Sequence, residues 1–390
     1  MPSTLIGQRP RLLFVTRNFP PLTGGMERLN HQAFLALGKA YSLALCGPQG
    51  AKAFTPDSLS VREASPAPLS RFLVEFQWAS FCLARGFRPQ IVYAGSGLAA
   101  PAALMAARSV GAKTVCFLHG LDIVADHALY RRLFLPAIRR VDHVLVNSRH
   151  TAGLAQVAGV ATGKIEIVNP GVELPDWSAR IKARQSFRMR LELGDRPLLL
   201  AAGRLTQRKG LAEFIRYALP EIQRRMPDVL LLIIGSEATS ALKHRGGIEA
   251  GIRAAIDEMG LAANVRLLGG VDDASLSEAY FSADAMVFPV LDLPGDVEGF
   301  GMVAVEAAAH GLPTVAFAVG GVPDAVVNGE SGWLVPSGDY LRMVQQCLSL
   351  LEPRGQDVWG GRCRRHAAHF TWDIFGKQLR EAVGSAFPSL

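Results

Sequence analysis

The 390-residue chain is short of cysteine, of charge and of long apolar runs. Its five cysteines are odd in number, widely spaced and without a C-x-x-C pair, so the usual zinc and redox motifs are absent and a reducing cytosol fits best. No stretch approaches the roughly 18 apolar residues that a membrane-spanning helix needs. The N-terminal apolar run has four residues bounded by arginines, too few for a secretory signal, so we expect a cytoplasmic protein.

Apolar residues are plentiful, at 49% of the chain, whereas charged residues make up 19%. This composition is typical of globular proteins and excludes a largely disordered chain. A chain of 390 residues is also too long for one ordinary core. We therefore expect two domains.

Positive charge is concentrated in the first half of the chain. Residues 1–180 carry 19 Lys and Arg against 10 Asp and Glu, whereas the remainder carries 22 against 24. A basic domain suggests an anionic partner, such as an acidic membrane surface or nucleic acid. A solvated basic surface explains the same counts, and both interpretations stay open.

Short β-prone runs alternate with helical patterns, which is typical of parallel sheets with crossover helices. The runs of the first half are RLLFVT, YSLALC, IVYAG, KTVCFLHG, HVLVNS and IEIVNPG. After a polar, basic segment the series restarts with PLLLAAGR, VLLLIIG, VRLLGG, AMVFPV, PTVAFA and GWLVP. We predict an α/β fold with domains over residues 1–175 and 176–370 and a seam near 172–196. A C-terminal helix over 371–390 is expected to pack back, with the N-terminal domain favoured.

The segment from Asp296 to Glu306 follows a predicted strand and leads into a predicted helix. Glu298 and Glu306 stand eight positions apart and suit the hydroxyls of a sugar and a ribose. Glycines open the turn, so its N–H groups and the positive end of the helix dipole favour a phosphate. The residues concerned are Gly299, Phe300, Gly301, Met302 and Val303. A helix-terminal acid and a surface glutamate are the structural alternative for the two carboxylates.

Two cations follow another predicted strand, in the sequence Gly203-Arg204-Leu-Thr-Gln-Arg-Lys209-Gly210. A guanidinium offers a bidentate fork and an ammonium a mobile point charge, so Arg204 and Lys209 are able to grip a diphosphate together. Lone basic residues after a strand are usually solvated, which makes the pair moderate evidence on its own.

The N-terminal half offers further candidates at predicted strand ends. Gly24 and Gly25 open a loop in which backbone can approach a pyrophosphate closely, although a plain turn uses the same residues. His119 and Asp122 follow the run KTVCFLHG, and Asn147 ends the run HVLVNS. The residues alone leave two structural alternatives open, a polar core position for His119 and a helix cap at Asn147 and its neighbour.

Together these residues resemble glycosyltransferase family four, the retaining enzymes with the GT-B fold. That fold has two doubly wound Rossmann-like domains facing a central cleft. The resemblance runs in the family's order from about Arg11 to Trp372 and is specific as a set. It is carried by Gly24-Gly25-Met26-Glu27, His119-Gly120, Asn147-Ser148, Asn169–Val172, Gly203-Arg204, Lys209-Gly210, Glu298 with Glu306, Gly311–Thr314, Gly320–Asp324, Asn328–Gly332 and Phe370–Trp372.

The resemblance implies a nucleotide-sugar donor held mainly by the C-terminal domain. Arg204 and Lys209 are then expected on the diphosphate, Glu306 on the ribose, Glu298 on the transferred sugar and His119 near that sugar. The implied catalytic residues are His119, Arg204, Lys209 and Glu298. The implied donor-binding residues are Gly24, Gly25, Gly203, Gly270, Val271, Gly299, Phe300, Gly301, Met302, Val303 and Glu306. Asp122 and Asn147 are expected on the acceptor side.

The family resemblance also implies retention of anomeric configuration, with the departing diphosphate accepting the acceptor's proton. No protein nucleophile is then needed, and we expect no cofactor and no metal. The residues leave the donor open between a GDP-mannose-like sugar, which we favour, and a UDP-sugar. Alternatives are a GT-B epimerase or phosphorylase and, in another class, a non-catalytic nucleotide-sugar or nucleic-acid-binding protein.

The acceptor is expected to be a saccharide or a lipid-linked saccharide in cell-envelope polysaccharide or lipopolysaccharide synthesis. Segments 68–88 and 130–140 place arginines among aromatic residues, a pattern that suits an anionic bilayer on the cytoplasmic face of the inner membrane. A core-facing helix with a solvated basic edge explains the pattern as well. No nucleic acid is expected, because the aromatics form no stacking platform. Oligomeric state is not determined.

Overall fold

The computed structural model describes residues 9–65, 68–124, 128–237, 247–352 and 356–387. The N-terminal segment in which no export signal was expected therefore lies partly outside the described residues, as do the last three residues of the C-terminal segment. The chain divides into two compact units. The first comprises Met1–Gly171 with Trp372–Leu390, and the second comprises Val172–Thr371.

Both units are built from short strands and helices in alternation. The strands are β1 Arg11–Val15, β2 Ser42–Pro48, β3 Ser60–Ala64, β4 Ile91–Ala94, β5 Lys113–Leu118, β6 His143–Val146, β7 Ile165–Ile167, β8 Leu198–Ala202, β9 Leu230–Ile234, β10 Val265–Gly269, β11 Ala285–Phe288, β12 Thr314–Phe317 and β13 Gly332–Val335. The helices are α1 Gly25–Gly38, α2 Leu69–Phe87, α3 Ala100–Arg108, α4 Leu121–Val124, α5 Ala128–Arg140, α6 Arg149–Val157, α7 Arg180–Arg190, α8 Leu211–Tyr217, α9 Leu219–Arg225, α10 Ile248–Glu258, α11 Asp273–Ser282, α12 Met302–Ala309, α13 Val322–Ala325, α14 Tyr340–Leu351, α15 Gln356–Ala367 and α16 Trp372–Ala386.

The first unit contains a seven-stranded parallel sheet in the order β3-β2-β1-β4-β5-β6-β7. Its central strands are apolar and buried, as expected for parallel strands covered by helices on both faces. The six strands predicted in this half are confirmed. Strand β3 was missed, because it lies at the sheet edge and its sequence SVREA is mostly solvent-facing, without an apolar run to mark it.

The second unit contains a six-stranded parallel sheet in the order β10-β9-β8-β11-β12-β13. Each of its strands coincides with a run predicted from the sequence. Strands β8, β9, β11 and β12 are buried along their whole length. In both sheets the order reverses at the first strand, which is the doubly wound arrangement that the sequence predicted.

The division between the units falls between Gly171 and Val172, at the N-terminal end of the seam predicted over 172–196 and four residues before the predicted boundary. The C-terminal helix α16 is part of the first unit, where it packs against α1. Its residues Phe375 and Leu379 are buried in the same core cluster as Phe34 of α1. Within the described ranges no helix combines the length and apolar character that crossing a bilayer requires.

Candidate active site

Ligands of doubly wound sheets bind beyond the carboxyl ends of the strands, so the residues that follow β8 and β11 are candidates for ligand binding. Strand β8 is followed by Gly203, whose φ of +115° is a left-handed conformation that favours glycine. A turn of 3-10 helix over Gln207–Lys209 follows and ends at Gly210, with φ +64°. A Cβ at Gly210 would lie 2.1 Å from the Pro289 carbonyl oxygen, so glycine is needed where this turn meets the chain after β11.

Lys209 is held at that turn and is buried, with 9% of its surface exposed. Its Nζ lies 3.0 Å from Glu298 Oε2 and 4.4 Å from the centre of the Phe288 ring. Burial lowers the pKa of Lys209, the Glu298 carboxylate opposes this shift, and the charges of Arg208 and Arg204 add to it. The Glu298 carboxylate beside it therefore favours the charged ammonium.

Glu298 lies in the loop between β11 and α12, and its side chain is mostly buried. Its Oε2 accepts hydrogen bonds from Lys209 Nζ at 3.0 Å and from Arg208 Nε at 3.1 Å. Burial alone would raise the pKa of Glu298, but the charges of Lys209 and Arg208 and their hydrogen bonds lower it to about 2. A carboxylate held ionised in this way is a strong acceptor for sugar hydroxyl groups.

Arg208 was not predicted as a site residue from the sequence, yet its side chain contacts two carboxylates. Besides Glu298, it donates from Nη1 to Asp296 Oδ1 at 3.0 Å. Arg204, by contrast, is exposed and forms no ion pair with the residues that the structure describes. Arg204 and Lys209 do line the same small cavity, together with Gly203 and Phe288. The structure thus brings the predicted cations together, with Arg208 added beside them.

The loop carrying Glu298 ends at Gly301, whose φ is +100°, and α12 begins at Met302. No side chain caps this helix, so the N–H groups of Met302 and Val303 have no acceptor within the helix. Phe300 points the other way and is buried in the core against Phe370. The backbone of this segment therefore leaves the first N–H groups of α12 without a partner in the helix, while the Phe300 side chain serves packing.

Glu306 lies one turn into α12 and is half-buried. Its Oε2 accepts a hydrogen bond from the Tyr280 hydroxyl at 3.2 Å, a contact that sequence reasoning did not foresee because Tyr280 belongs to α11. Gly270 and Val271 follow β10 and are exposed. The donor-binding candidates of the second unit thus follow β8, β10 and β11 at the carboxyl edge of one sheet.

In the first unit, His119 follows β5 and is buried. Its Nε2 lies 2.9 Å from the Gly95 carbonyl oxygen at the end of β4, and its ring stacks on Phe117. In the neutral ring Nε2 therefore carries the proton, which leaves Nδ1 as the acceptor. Gly24 and Gly25 mark the start of α1 after β1, with Gly24 at φ +152°.

Asp122 was expected on the acceptor side, but its carboxylate is already occupied. Oδ1 accepts from the backbone N–H groups of His119 at 2.9 Å and Gly120 at 3.0 Å, and Oδ2 accepts from that of Gly97 at 2.9 Å. Its evident task in the structure is to shape the loop after β5 that presents His119. Such a task is invisible in the sequence, because Gly97 is brought near only by the pairing of β4 with β5.

Asn147 is buried after β6, and its Nδ2 donates to the His119 carbonyl oxygen at 3.4 Å. Its Oδ1 has no hydrogen-bond partner among the described residues, and neither has the buried Ser96 hydroxyl after β4. Because β4, β5 and β6 are neighbours, Ser96, His119 and Asn147 lie at one edge of the sheet. Ser96 is a further candidate, and no motif in the sequence marks it.

Two family models match the chain. Residues 23–175 match "Glycosyltransferase Family 4", and residues 196–353 match "Glycosyl transferases group 1". Among curated relatives, the GDP-mannose-dependent alpha-(1-6)-phosphatidylinositol monomannoside mannosyltransferase of Mycolicibacterium smegmatis is 30% identical over 95% of this chain and 98% of its own. The D-inositol 3-phosphate glycosyltransferase of Segniliparus rotundus is 32% identical over 63% of this chain and 52% of its own.

Solved structures are similar over almost the whole chain. Sucrose-phosphate synthase from Thermosynechococcus elongatus superimposes with a TM-score of 0.78 at 20% identity, covering 98% of this chain and 100% of that one. Anabaena Alr3699/HepE in complex with UDP and glucose gives a TM-score of 0.75 at 17% identity, with coverages of 98% and 100%. At these identities the likeness establishes the fold.

Proposed function

The chain belongs to the family 4, group 1 glycosyltransferases, and from that premise we propose that it moves a mannosyl residue from GDP-mannose to a lipid-linked saccharide, with retention of configuration and without a metal. The observation that carries this proposal is the full-length likeness to a GDP-mannose-dependent mannosyltransferase. The arrangement after β8 and β11 supports it, because cations, an ionised carboxylate and an uncapped helix start lie where a sugar nucleotide needs them.

We assign the donor to the second unit. Lys209 and the exposed Arg204 neutralise the diphosphate, helped by the free N–H groups at the start of α12. Glu298 accepts hydrogen bonds from hydroxyls of the transferred sugar, and Glu306 accepts them from the ribose. Tyr280 fixes the Glu306 carboxylate through its hydroxyl. Gly270 and Val271 border the base.

The proposed transfer needs no protein nucleophile. The acceptor hydroxyl oxygen bonds to the anomeric carbon on the face from which the diphosphate departs, while the bond from that carbon to the phosphate oxygen breaks. The acceptor's proton passes to the departing phosphate oxygen, so atoms and charges balance. The protein contributes positioning and stabilises the growing negative charge on the diphosphate through Lys209 and Arg204.

Lys209 and Arg204 are also the reason why we propose that no metal is needed. Their ammonium and guanidinium groups supply the positive charge that the leaving group requires. Chelation with EDTA is expected to leave the rate of mannosyl transfer unchanged. A rate that collapses on chelation and returns on adding Mg²⁺ or Mn²⁺ would contradict this part of the proposal.

The first unit is assigned to the acceptor. His119, with Nδ1 as acceptor, is suited to a sugar hydroxyl. The unpartnered Oγ of Ser96 and Oδ1 of Asn147 are buried polar atoms at the same sheet edge, and a hydroxylated ligand would satisfy them. Asp122 acts by shaping the loop that carries His119.

The proposal is tested by incubating the full-length protein with GDP-mannose, UDP-glucose or UDP-galactose in mixed micelles containing phosphatidylinositol monomannoside. We expect a mannosylated lipid and stoichiometric GDP from GDP-mannose alone. Turnover only with a UDP-sugar would overturn the donor assignment. Acceptor-independent release of free sugar or formation of an epimer would favour the epimerase or phosphorylase alternative, and nucleotide binding without turnover would favour a non-catalytic protein.

A further inference from the structure

Arg208 sits in a four-residue charged cluster that joins two neighbouring strand ends. Arg208 and Lys209 lie in the turn after β8, whereas Asp296 and Glu298 lie in the loop after β11. The guanidinium connects the two acids, with Nε 3.1 Å from Glu298 Oε2 and Nη1 3.0 Å from Asp296 Oδ1. The cluster is therefore a brace between the two segments that carry the donor-site residues.

The two cations of the cluster differ in how many hydrogen bonds they make to its carboxylates. Lys209 contacts Glu298 through one ammonium hydrogen bond. Arg208 makes two side-chain bonds to two carboxylates, and its own carbonyl oxygen accepts the Leu291 N–H at 2.8 Å. A planar guanidinium in a fixed fork keeps its geometry, whereas an ammonium on a four-carbon chain turns freely to a new partner.

Both cations converge on the same oxygen of Glu298, Oε2. Oε1 carries no hydrogen bond from the described residues and is the oxygen available to a ligand. When a diphosphate draws Lys209 away, the mostly buried Glu298 carboxylate loses one of its two cations. If Arg208 were absent as well, this carboxylate would face the incoming negative charge without a partner, which is strongly unfavourable. Arg208 is the cation that stays on Oε2 and keeps the carboxylate ionised and in place.

We propose that Arg208 is the positioning residue for recognition of the donor sugar: anchored on Asp296, it holds Glu298 through Oε2 so that Oε1 is presented to the sugar while Lys209 serves the diphosphate. This inference rests on the proposed function, because it takes a nucleotide sugar as the ligand. Arg208 itself touches neither sugar nor phosphate, so its removal affects the sugar more than the nucleotide.

Among the described residues, few charged groups lie around Glu298. A change in the pKa of Glu298 therefore reports on the loss of Arg208. Arg208 and Lys209 face it from the turn after β8, Arg204 adds its charge beside Lys209, and Asp296 shares its loop. The segment after β12 packs on the Glu298 backbone through Gly320 and Gly321, and the Gly321 N–H donates to the Glu298 carbonyl oxygen at 2.8 Å. Removing Arg208 takes away one of the two cations that contact Glu298, so the pKa of Glu298 rises. As the pH is lowered, the variant therefore loses activity at a higher pH than the wild type does.

The decisive variants are Arg208→Met, which removes the charge, and Arg208→Lys, which keeps the charge but cannot bridge both acids. Arg184→Met is the matched control, because Arg184 pairs with the buried Asp284 before β11 in the same unit, away from the candidate donor residues. For each full-length variant we would measure kcat/KM for GDP-mannose across pH 4–9, the Kd of GDP by calorimetry and the Tm.

For Arg208→Met we expect kcat/KM to fall by about 100-fold, the scale of a misplaced binding group, with the Kd of GDP changed by less than about threefold. Because the wild-type pKa of Glu298 is about 2, its acid limb lies below the measured range, and removing Arg208 should raise that pKa by about 2 or more and bring the limb above pH 4. Arg208→Lys should lose about tenfold in kcat/KM, with its acid limb in place. Arg184→Met should lower Tm and leave kcat/KM and the acid limb unchanged.

Three results would overturn the inference: wild-type kcat/KM in Arg208→Lys, an unmoved acid limb in Arg208→Met, or a loss of GDP affinity as large as the loss of kcat/KM. Should Arg208→Met fail to fold, the Arg208→Lys result decides. Failure of the proposed function is seen separately, in the wild-type protein, as no transfer from any sugar nucleotide while GDP binding persists.

Discussion

At the residue scale, the site depends on a buried ammonium whose charge is maintained by its neighbours. Lys209 lies against the Phe288 ring and on the Glu298 carboxylate, out of reach of most solvent. Burial lowers the pKa of Lys209, and the Glu298 carboxylate opposes this shift. A diphosphate in this place would strengthen the ammonium further, so ligand binding and the charge of Lys209 support each other.

Replacing Lys209 with alanine should remove this charge from the leaving group in the transition state. We expect kcat/KM for GDP-mannose to fall by about 10²- to 10³-fold, the scale of losing one preorganised stabilising group. Steady-state kinetics of the purified variant measure this change. Arg225→Ala, in an exposed pair with Glu221 on α9, is the control and should behave as wild type. Wild-type kinetics in Lys209→Ala would contradict the assignment of Lys209.

His310 is a second residue whose environment sets its charge. Its Nδ1 lies 2.7 Å from the Glu306 carbonyl oxygen and its Nε2 2.8 Å from the Ser277 hydroxyl. Burial lowers the pKa of His310 from 6.5 to about 4, with the bond to Glu306 opposing and the Arg364 charge adding to the shift. The neutral ring, donating from Nδ1 and accepting at Nε2, satisfies both contacts.

The folded state therefore resists protonation of His310 more than the unfolded chain does. Stability is fully present above pH 6.5 and falls as pH drops towards 4. At pH 5 we expect His310 to lower the unfolding free energy by about 2 kcal/mol relative to pH 8. Guanidinium unfolding at both pH values would show a smaller difference for His310→Gln. The exposed His369→Gln is the control, and an unchanged difference in His310→Gln would refute the prediction.

At the element scale, the loops that carry the site are held by backbone packed directly on backbone. Gly321, after β12, donates its N–H to the Glu298 carbonyl oxygen. A Cβ there would lie 2.0 Å from the Gly299 carbonyl oxygen and 2.8 Å from the Phe300 Cα. Because these neighbours are backbone atoms, no side chain can turn aside to make room, and the Glu298 loop must shift instead.

Gly321→Ala is accordingly expected to displace the Glu298 loop. We predict a fall in kcat/KM for GDP-mannose of about 100-fold, the scale of a displacement near 1 Å, and a loss of about 1–3 kcal/mol in stability from overpacking. Kinetics and denaturant unfolding measure the two effects. Gly251→Ala is the matched control, because Gly251 lies within α10 with open space around its Cα and should gain about 0.5–1 kcal/mol. Normal activity in Gly321→Ala would show that the loop tolerates the shift.

At the scale of the whole molecule, the positive charge of the first half coincides with an exposed amphipathic surface. The outward face of α2 carries Val74, Trp78 and Arg85, with Val74 73% and Trp78 66% exposed, and beside them an ion pair between Arg71 and Glu75. Phe72 and Phe76, which the sequence grouped with them, are buried in the core and are removed from this surface. On α5, Leu133 is exposed beside Arg131 and Arg132, while Phe134 is buried.

We propose that this α2 face docks on an anionic bilayer and brings the protein to a lipid-linked acceptor. Flotation with liposomes containing anionic lipid should carry the protein upward at low salt and release it as salt screens the charges. Trp78→Ser combined with Arg85→Ser should weaken binding by about tenfold or more, since it removes one apolar anchor and one cation. Activity on a detergent-dispersed acceptor should persist.

Val157→Ser is the control for this experiment, because Val157 is an exposed apolar residue on α6, outside the α2 face. Its flotation should match the wild type. Equal flotation with purely zwitterionic liposomes would refute an electrostatic docking surface. Undiminished flotation of the Trp78 and Arg85 double variant would place any contact elsewhere.

The sequence by itself determined the architecture and predicted most of the candidate donor-site positions. Buried parallel strands require continuous apolar runs, so the central strands were readable as such. Positions such as Gly203 and Gly301 require left-handed backbone, so glycines there marked strand-to-helix turns. The solvent-facing edge strand β3 lacked an apolar run and was missed.

Only the tertiary structure decided which charges meet. Arg208 and Glu298 lie far apart in the chain, and their pairing follows from β8 being the neighbour of β11 in the sheet. The same holds for Tyr280 with Glu306 and for Asp122 with the Gly97 N–H. Local pattern records the periodicity of burial, whereas a hydrogen bond between distant residues depends on strand order. That order places Arg208 against Glu298 and so joins the cations after β8 to the carboxylates after β11.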